Sequence, residues 1–164
     1  MRFNAEHHFA GTVDALATLL LDPAFHTGLQ LPDVSLPVVV DETRQGDEDV
    51  LRLRYEYTGQ LDSMARRVIG GRTITWVQEL RLDRATGTGT LSFSADDDGG
   101  RVNGEASVTI TATDGDGSHR RIAGDFHIRI PVVGGTAERK IVPGLVRRLD
   151  VEAAALSDRL GAGS

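Results

Sequence analysis

The order of apolar and polar positions predicts that the chain begins with one strand and two short helices. The first nine residues alternate between apolar and polar, which is the period of a half-buried strand. In "GTVDALATLLLDPAFHTGL", apolar residues then recur at helical spacing, and Thr12 precedes them as a helix N-cap. Pro23 ends that helix and can start a second short one after Asp22. The N-terminal unit is therefore predicted to be strand, helix, short helix.

The pattern from residue 36 to residue 130 is almost entirely that of strands. Six alternating runs are separated by turn-forming stretches such as "QGDE", "ADDDGG" and "TDGDGSH", and "LDSMARRVIGG" predicts one brief helix. Short strands joined by tight turns predict an antiparallel meander, because parallel pairing needs long crossovers. Each strand has one apolar and one polar face, so one side of the sheet must be covered.

The last part of the chain predicts a long helix from Thr136 to Leu160 that covers the apolar side of the sheet. Its apolar stripe is Ile141, Leu145, Leu149, Ala153, Leu156 and Leu160. A helix of this length spans about 37 Å, enough to cross a whole sheet. Pro143-Gly144 interrupts the stripe and has two interpretations: a structural bend, which is favoured because proline kinks are common, or a weak turn that opens an internal cavity.

The order strand, two helices, six strands and long helix resembles the helix-grip arrangement of the START-like (SRPBCC) superfamily. "MRFNAEHHFAGTVDALATLLLDPAFH" and "IPVVGGTAERKIVPGL" resemble, more narrowly, the bacterial family known as domain of unknown function 2505. The resemblance implies an α+β fold in which a curved seven-stranded antiparallel sheet carries two short N-terminal helices and holds the long C-terminal helix on its concave face. It also implies a cavity between sheet and helix that can hold a small apolar ligand. We expect a single START-like domain over residues 1–160 and a disordered tail over 161–164.

Composition excludes several classes of function. With 164 residues, 40% hydrophobic and 26% charged, the sequence has the make-up of one ordinary globular domain. It has no cysteine, so thiolate catalysis and cysteine-ligated metals are excluded. A net charge of −6 argues against a nucleic-acid partner. No apolar run approaches the roughly 20 residues of a membrane span, and no signal peptide is recognisable, so we expect no transmembrane segment and a cytoplasmic location.

Three motifs that suggest an ion or cofactor fail on spacing. The glycine pair in "GGTAERK" lacks the remainder of a phosphate-binding loop, so its expected role is to turn the chain between strand and helix. "DGDGSHRRIAGD" places acids at calcium-loop positions but has His119 where glycine is required. His7 and His8 are adjacent on a strand and point to opposite faces. No metal and no cofactor is therefore predicted.

The candidate site is the apolar face of the predicted sheet together with the helix that covers it. We find no Asp or Glu at the inward positions of the strands; the polar groups there are tyrosine, tryptophan, glutamine and His7. A few polar groups on an apolar wall are typical of a ligand pocket, although a filled core with tyrosine hydroxyls at its rim is the alternative. The candidate lining residues are His7, Leu53, Tyr55, Tyr57, Trp76, Gln78, Phe93, Phe126, Ile141, Leu145 and Leu149.

Three hypotheses for function follow. The first is binding of a small hydrophobic molecule, lipid-like, polyketide-like or aromatic, without established catalysis. The second is an enzyme of cyclase or dehydratase type that acts in the same cavity, with His7 or a tyrosine moving a proton. The third is an interaction module that uses the polar sheet face or an edge strand. No catalytic residue is assigned, and His7 is more simply explained as a core histidine with satisfied hydrogen bonds.

Overall fold

A computed structural model of the protein describes residues 1–63, 66–67, 70–96, 100–129 and 134–162. The strands are β1 (Arg2–Phe9), β2 (Val38–Gln45), β3 (Glu48–Glu56), β4 (Thr75–Asp83), β5 (Thr88–Ala95), β6 (Val102–Ala112) and β7 (Ser118–Ile128). The helices are α1 (Val13–Leu20), α2 (Pro23–Thr27) and α3 (Gly134–Ala162). Within the predicted brief helix, Ser63, Arg66 and Arg67 are helical, and the other residues of its centre lie outside the described part. Residues 163–164 of the predicted tail also lie outside it.

The seven strands form one antiparallel sheet in the order β1-β7-β6-β5-β4-β3-β2. Every pair from β2 to β7 joins strands that are consecutive in the chain, and β1 completes the sheet by pairing with β7. The turn of the first hairpin lies at Gly46, whose φ of +65° is a left-handed conformation that favours glycine. The predicted α+β helix-grip fold is confirmed.

Both short helices begin where their capping residues predict. Thr12 Oγ1 accepts a hydrogen bond from Ala15 N at 3.2 Å and starts α1. Asp22 Oδ1 accepts from Ala24 N at 2.9 Å, and Pro23 occupies the first turn of α2. These two caps place α1 and α2 directly after β1.

Helix α3 lies on the inner face of the sheet, where it contacts β1, β7 and α1. Apart from Gly134 at its start, its buried residues are Val142, Leu145, Leu149, Glu152, Ala153 and Leu156. Ile141, which was predicted on this stripe, is 43% exposed, and that prediction is wrong. Val142 lies seven residues before Leu149, and a rotation over seven residues is within about 20° of two full helical turns. Ile141 lies eight residues before Leu149, and a rotation over eight residues differs from two full turns by about 80°. The stripe therefore continues through Val142.

Strand β2 is a free edge of the sheet and carries exposed apolar side chains. Val38 is 62% exposed, and Val39 and Val40 are also exposed. The pairing with β3 shifts register between Val39 and Asp41. Edge bulges and charged edge residues discourage pairing with another chain. The register shift and Asp41 are therefore features that protect the β2 edge from such pairing.

Gly134, the first glycine of the pair at the start of α3, permits a close approach of backbone to backbone. A Cβ on Gly134 would lie 2.2 Å from the carbonyl oxygen of Ile128, the last residue of β7. Glu138, one turn later, accepts a hydrogen bond from Ile128 N at 2.8 Å, and this bond lowers the pKa of Glu138. The first turns of α3 are thus fastened to the end of β7. Both glycines lie inside the helix, which begins at Gly134, two residues before its predicted start at Thr136.

Replacing Gly134 by alanine is expected to lower the free energy of unfolding by about 1–3 kcal/mol, the usual cost of overpacking. The matched control is Gly135→Ala, where the nearest atom to the added Cβ is Arg139 Nη1 at 3.8 Å. That variant is expected to be neutral or stabilised by up to about 1 kcal/mol, since alanine favours helix over glycine. Urea denaturation of the two variants checks the difference, and equal effects would show that the contact with Ile128 is unimportant.

Candidate functional site

A small cavity lies between the inner face of the sheet and α3. Its volume is about 20 Å³. The lining residues are Leu20, His26, Leu51, Leu53, Gln78, Leu80, Leu91, Val108, Arg120, Ile122, Leu149 and Glu152. A water molecule needs roughly 10–15 Å³ measured in this way, so the space accepts one water-sized group. A lipid-sized or polyketide-sized ligand would require the helix and the sheet to separate.

A buried ion pair forms part of the cavity wall. Arg120 Nη1 donates to Glu152 Oε1 at 2.6 Å, and the two residues are only 1% and 5% exposed. Arg120 occupies an inward position of β7, two residues before Ile122, and Glu152 lies on the buried stripe of α3. Burial alone would raise the pKa of Glu152, but the charge and the hydrogen bond of Arg120, together with the nearby His26 and His7, outweigh it, and the pKa is lowered. Both groups are therefore charged inside the protein at neutral pH.

His7 connects this ion pair to the surface. Its Nδ1 lies 3.2 Å from Arg120 Nη2, and its Nε2 lies 2.9 Å from Asp150 Oδ1. Because a guanidinium can only donate, Nδ1 accepts, and Nε2 carries the proton that is donated to Asp150. The ring is therefore neutral. Burial and the nearby Arg120 charge lower the pKa of His7, against the opposing effect of Asp150.

The lowered pKa of His7 predicts a stability change with pH. In the unfolded chain the histidine titrates near its ordinary value of 6.5, whereas in the folded protein it titrates lower. Between these two values the unfolded chain binds more protons, so the contribution of His7 is fully present above pH 6.5 and is lost as pH falls through the folded value. We expect wild type to lose more stability than His7→Gln between pH 7.5 and pH 5 in urea denaturation. The other four histidines are common to both proteins, so parallel pH profiles would contradict the prediction.

His26 contributes a second buried imidazole. It is 3% exposed, and its Nε2 lies 2.8 Å from the carbonyl oxygen of Leu20. A carbonyl only accepts, so Nε2 carries a proton. Nδ1 of the same ring has no hydrogen-bond partner in the described structure, and neither has Nε of Arg120. Two buried polar atoms on residues of the cavity wall are thus unsatisfied.

An aromatic and cationic stack stands next to this cluster. The rings of Tyr55 and Trp76 are stacked with centroids 5.7 Å apart, and the Arg148 guanidinium lies 5.0 Å from the centroid of Trp76. Burial, reinforced by the charge of Glu152, raises the pKa of Tyr55, so its hydroxyl stays protonated. Burial lowers the pKa of Arg148. The stack extends the polar interior toward the start of β4.

The predicted lining residues lie in three different environments: the cavity wall, the surrounding apolar core and positions outside the core. Leu53, Gln78 and Leu149 line the cavity. Those in the surrounding apolar core are Tyr55, Trp76, Phe93, Phe126 and Leu145, with Trp76 only partly buried and the Phe93 and Phe126 rings in edge contact at 6.5 Å. Tyr57 lies beyond β3, where its backbone forms an isolated bridge with Val34 and its hydroxyl lies 3.4 Å from the Gln60 carbonyl. His7 touches the cluster through Arg120, and Ile141 faces outward.

The sequence interpretation missed the charged part of the site. Arg120, Glu152 and His26 were not among the candidates. The prediction that inward strand positions carry no acid is also wrong, because Asp49 shares the face of Leu51, is buried, and accepts from Arg84 Nε at 2.6 Å. The sequence did carry a signal in the spacing of these residues. Arg120 stands two residues before Ile122 and therefore shares its strand face, and Glu152 stands three residues after Leu149 and therefore shares its helix face.

The described residues show neither a metal cluster nor a membrane-spanning helix. No group of three or more His, Asp or Glu side chains in this part of the chain could hold a metal ion. His8 points to the outer face, where it stacks on His119 at 4.4 Å, and thus away from His7. None of the helices in the described ranges is long and apolar enough to cross a membrane.

Comparison with known proteins identifies the family and the fold. The family model described as a protein of unknown function (DUF2505) matches residues 4–160, so the chain belongs to that family. No curated protein matches the sequence.

Several solved structures share the fold at low sequence identity. The protein TTHA0849 from Thermus thermophilus aligns over 100% of this chain and 99% of its own, at 19% identity and a TM-score of 0.68. The Zhui aromatase/cyclase from Streptomyces sp. R1128 aligns over 98% of this chain and 90% of its own, at 14% identity and a TM-score of 0.57. A START superfamily protein from Mycobacterium smegmatis aligns over 99% of both chains, at 15% identity and a TM-score of 0.59. The START-like fold is thus shown.

Proposed function

We propose that this DUF2505 protein binds a small, largely apolar molecule between the inner face of the sheet and α3. The observation that carries the proposal is the buried Arg120–Glu152 pair at the wall of an internal cavity. An apolar replacement of a buried ion pair is often as stable as the pair or more stable. Charged groups in such a place are therefore better explained by a ligand than by stability. The START-like fold, which also includes a protein described as an aromatase/cyclase, agrees with an internal binding site.

Entry of a ligand requires α3 to move away from the sheet. Pro143 lies inside α3 and cannot donate a hydrogen bond to the carbonyl four residues earlier, and Gly144 adds conformational freedom. Beside Pro143, a solvent-open groove of about 440 Å³ runs between β1 and α3 and is lined by Phe3, Val142 and Val146 among others. We expect the interior to open at this part of α3, where Pro143 and Gly144 weaken the helix and where the helix borders the groove.

Binding is favoured over catalysis by the state of His7. Both of its ring nitrogens are engaged, one by Arg120 and one by Asp150, and the residue does not line the cavity. A general acid or base must reach the proton that it transfers. His7 therefore offers no free nitrogen for proton transfer, and the cyclase or dehydratase alternative stays a hypothesis.

The proposal is tested by equilibrium dialysis of the purified protein against naphthalene, with solvent extraction and mass spectrometry of any co-purified molecule. Leu149→Ala enlarges the cavity and is expected to bind naphthalene more tightly than wild type, because apolar cavities bind apolar ligands of matching size. Ile141→Ala is the matched control on the exposed side of the same helix and should leave binding unchanged. Absence of saturable binding in wild type and in Leu149→Ala, with no extracted ligand, would overturn the proposal. A change in Ile141→Ala alone would place binding on the surface.

A further inference from the structure

The two unsatisfied atoms at the cavity form a donor and an acceptor. Arg120 uses Nη1 for Glu152 and Nη2 for His7, which leaves its Nε–H as a free donor. His26 uses Nε2–H for Leu20, so Nδ1 is the acceptor when the ring carries a single proton. A hydroxyl group has the matching pattern, because it can accept from Arg120 and donate to His26. A carbonyl or an ether oxygen could satisfy only Arg120.

The charges around the cavity exclude an ionic head group. Glu152 already balances Arg120 at 2.6 Å. A ligand carboxylate would meet the like charge of Glu152, and an ammonium group would meet that of Arg120, with little water to screen either repulsion. The cavity accepts one water-sized group, which is the size of a hydroxyl. Size, charge and hydrogen-bond pattern therefore fit a neutral hydroxyl, which either a ligand or a water molecule can supply.

We propose that Arg120 Nε and His26 Nδ1 bind one neutral hydroxyl group of an otherwise apolar ligand. The proposal rests on the proposed function, since it names the ligand class of the same site. The rest of the wall is made of leucine, isoleucine and valine side chains apart from Gln78 and Glu152, and these apolar side chains receive the apolar body of the ligand. The ligand class is thus a small apolar alcohol or phenol.

The test compares three naphthalene derivatives by equilibrium dialysis at pH 7. 2-Naphthol carries a neutral hydroxyl, 2-methoxynaphthalene lacks the donor, and 2-naphthoate is anionic. Each hydrogen bond contributes about 1 kcal/mol or more, so we expect 2-naphthol to bind about tenfold more tightly than either of the others. Equal affinities for 2-naphthol and 2-methoxynaphthalene would overturn the inference while leaving the proposed function standing. Tightest binding of 2-naphthoate would also overturn it. Failure of naphthalene to bind wild type and Leu149→Ala, with no extracted ligand, is the distinct result that removes the proposed function.

Replacing His26 tests whether this residue causes the preference for 2-naphthol. In His26→Gln the side-chain amide can still donate to the Leu20 carbonyl, as Nε2 does, but no acceptor remains at the position of Nδ1. We expect 2-naphthol to fall to the affinity of 2-methoxynaphthalene, with the latter unchanged. His8→Gln, on the outer face of the sheet, is the matched control and should behave as wild type. Retained preference for 2-naphthol in a folded His26→Gln would contradict the role of His26, and the wild-type comparison decides the inference if this variant does not fold.

Discussion

Replacing Glu152 alone by leucine is expected to lower the free energy of unfolding by about 3–5 kcal/mol, because Arg120 would remain as an uncompensated buried charge. Arg120 is 1% exposed and cannot reach water without moving β7 or α3. Urea denaturation at pH 7 measures the loss. A loss below about 1 kcal/mol, the range of a surface ion pair, would show that Arg120 is solvated and that the interior is not as described.

The double variant Arg120→Met/Glu152→Leu separates stability from function. Removing both charges leaves no unpaired ion, so this variant is expected to be as stable as wild type or more stable by about 1–4 kcal/mol. It should still bind naphthalene and lose the preference for 2-naphthol. If the double variant were as unstable as Glu152→Leu, the ion pair would be needed for folding, and the argument that a ligand explains it would fail.

Replacing Pro143-Gly144 by two alanines is expected to stabilise α3 and to slow the exchange of ligand. Proline in a helix interior costs about 3 kcal/mol and glycine about 1 kcal/mol relative to alanine, so the free energy of unfolding should rise by up to about 4 kcal/mol. If this segment is where the interior opens, the association and dissociation rates of naphthalene, measured by stopped-flow fluorescence, should both fall. Trp76, the only tryptophan, provides the signal.

Gly161→Ala is the control for helix propensity. Gly161 also lies in α3, with open space around an added Cβ, but in the last turn of the helix. It is expected to add a fraction of a kcal/mol and to leave the rates unchanged. Higher stability with unchanged rates in the double-alanine variant would identify Pro143-Gly144 as a structural bend only, and ligand would have to enter elsewhere.

The fold was predictable because the two-residue alternation along each strand shows which side chains face the core. Leu51, Leu53 and Tyr55 alternate with charged residues, and such a pattern admits only one face toward a core. The caps at Thr12 and Asp22 fix the starts of α1 and α2 by local hydrogen bonds, which need no knowledge of the rest of the chain. These signals act over a few residues, and a single sequence displays them.

The charged part of the site was not predictable from the same signals. Arg120 follows a turn-forming stretch, and Glu152 is not part of the predicted apolar stripe of the helix; charged residues of this kind are almost never fully buried unless they are paired. The pairing that allows their burial joins residues 32 positions apart in the chain and depends on how α3 lies across β7. The error at Ile141 has a related cause: the rotation of a long helix is set by tertiary contact, and spacings of three and four are both compatible with its pattern.

The most direct test of ligand binding beneath α3 is a map of intermolecular nuclear Overhauser effects between 2-naphthol and methyl-labelled protein. An internal site predicts contacts from the ligand ring to the methyl groups of Leu53, Leu91 and Leu149, which line the cavity, and none to the exposed Ile141. Contacts confined to Val146 in the surface groove or to Val38 on the β2 edge, or none at a saturating ligand concentration, would contradict it.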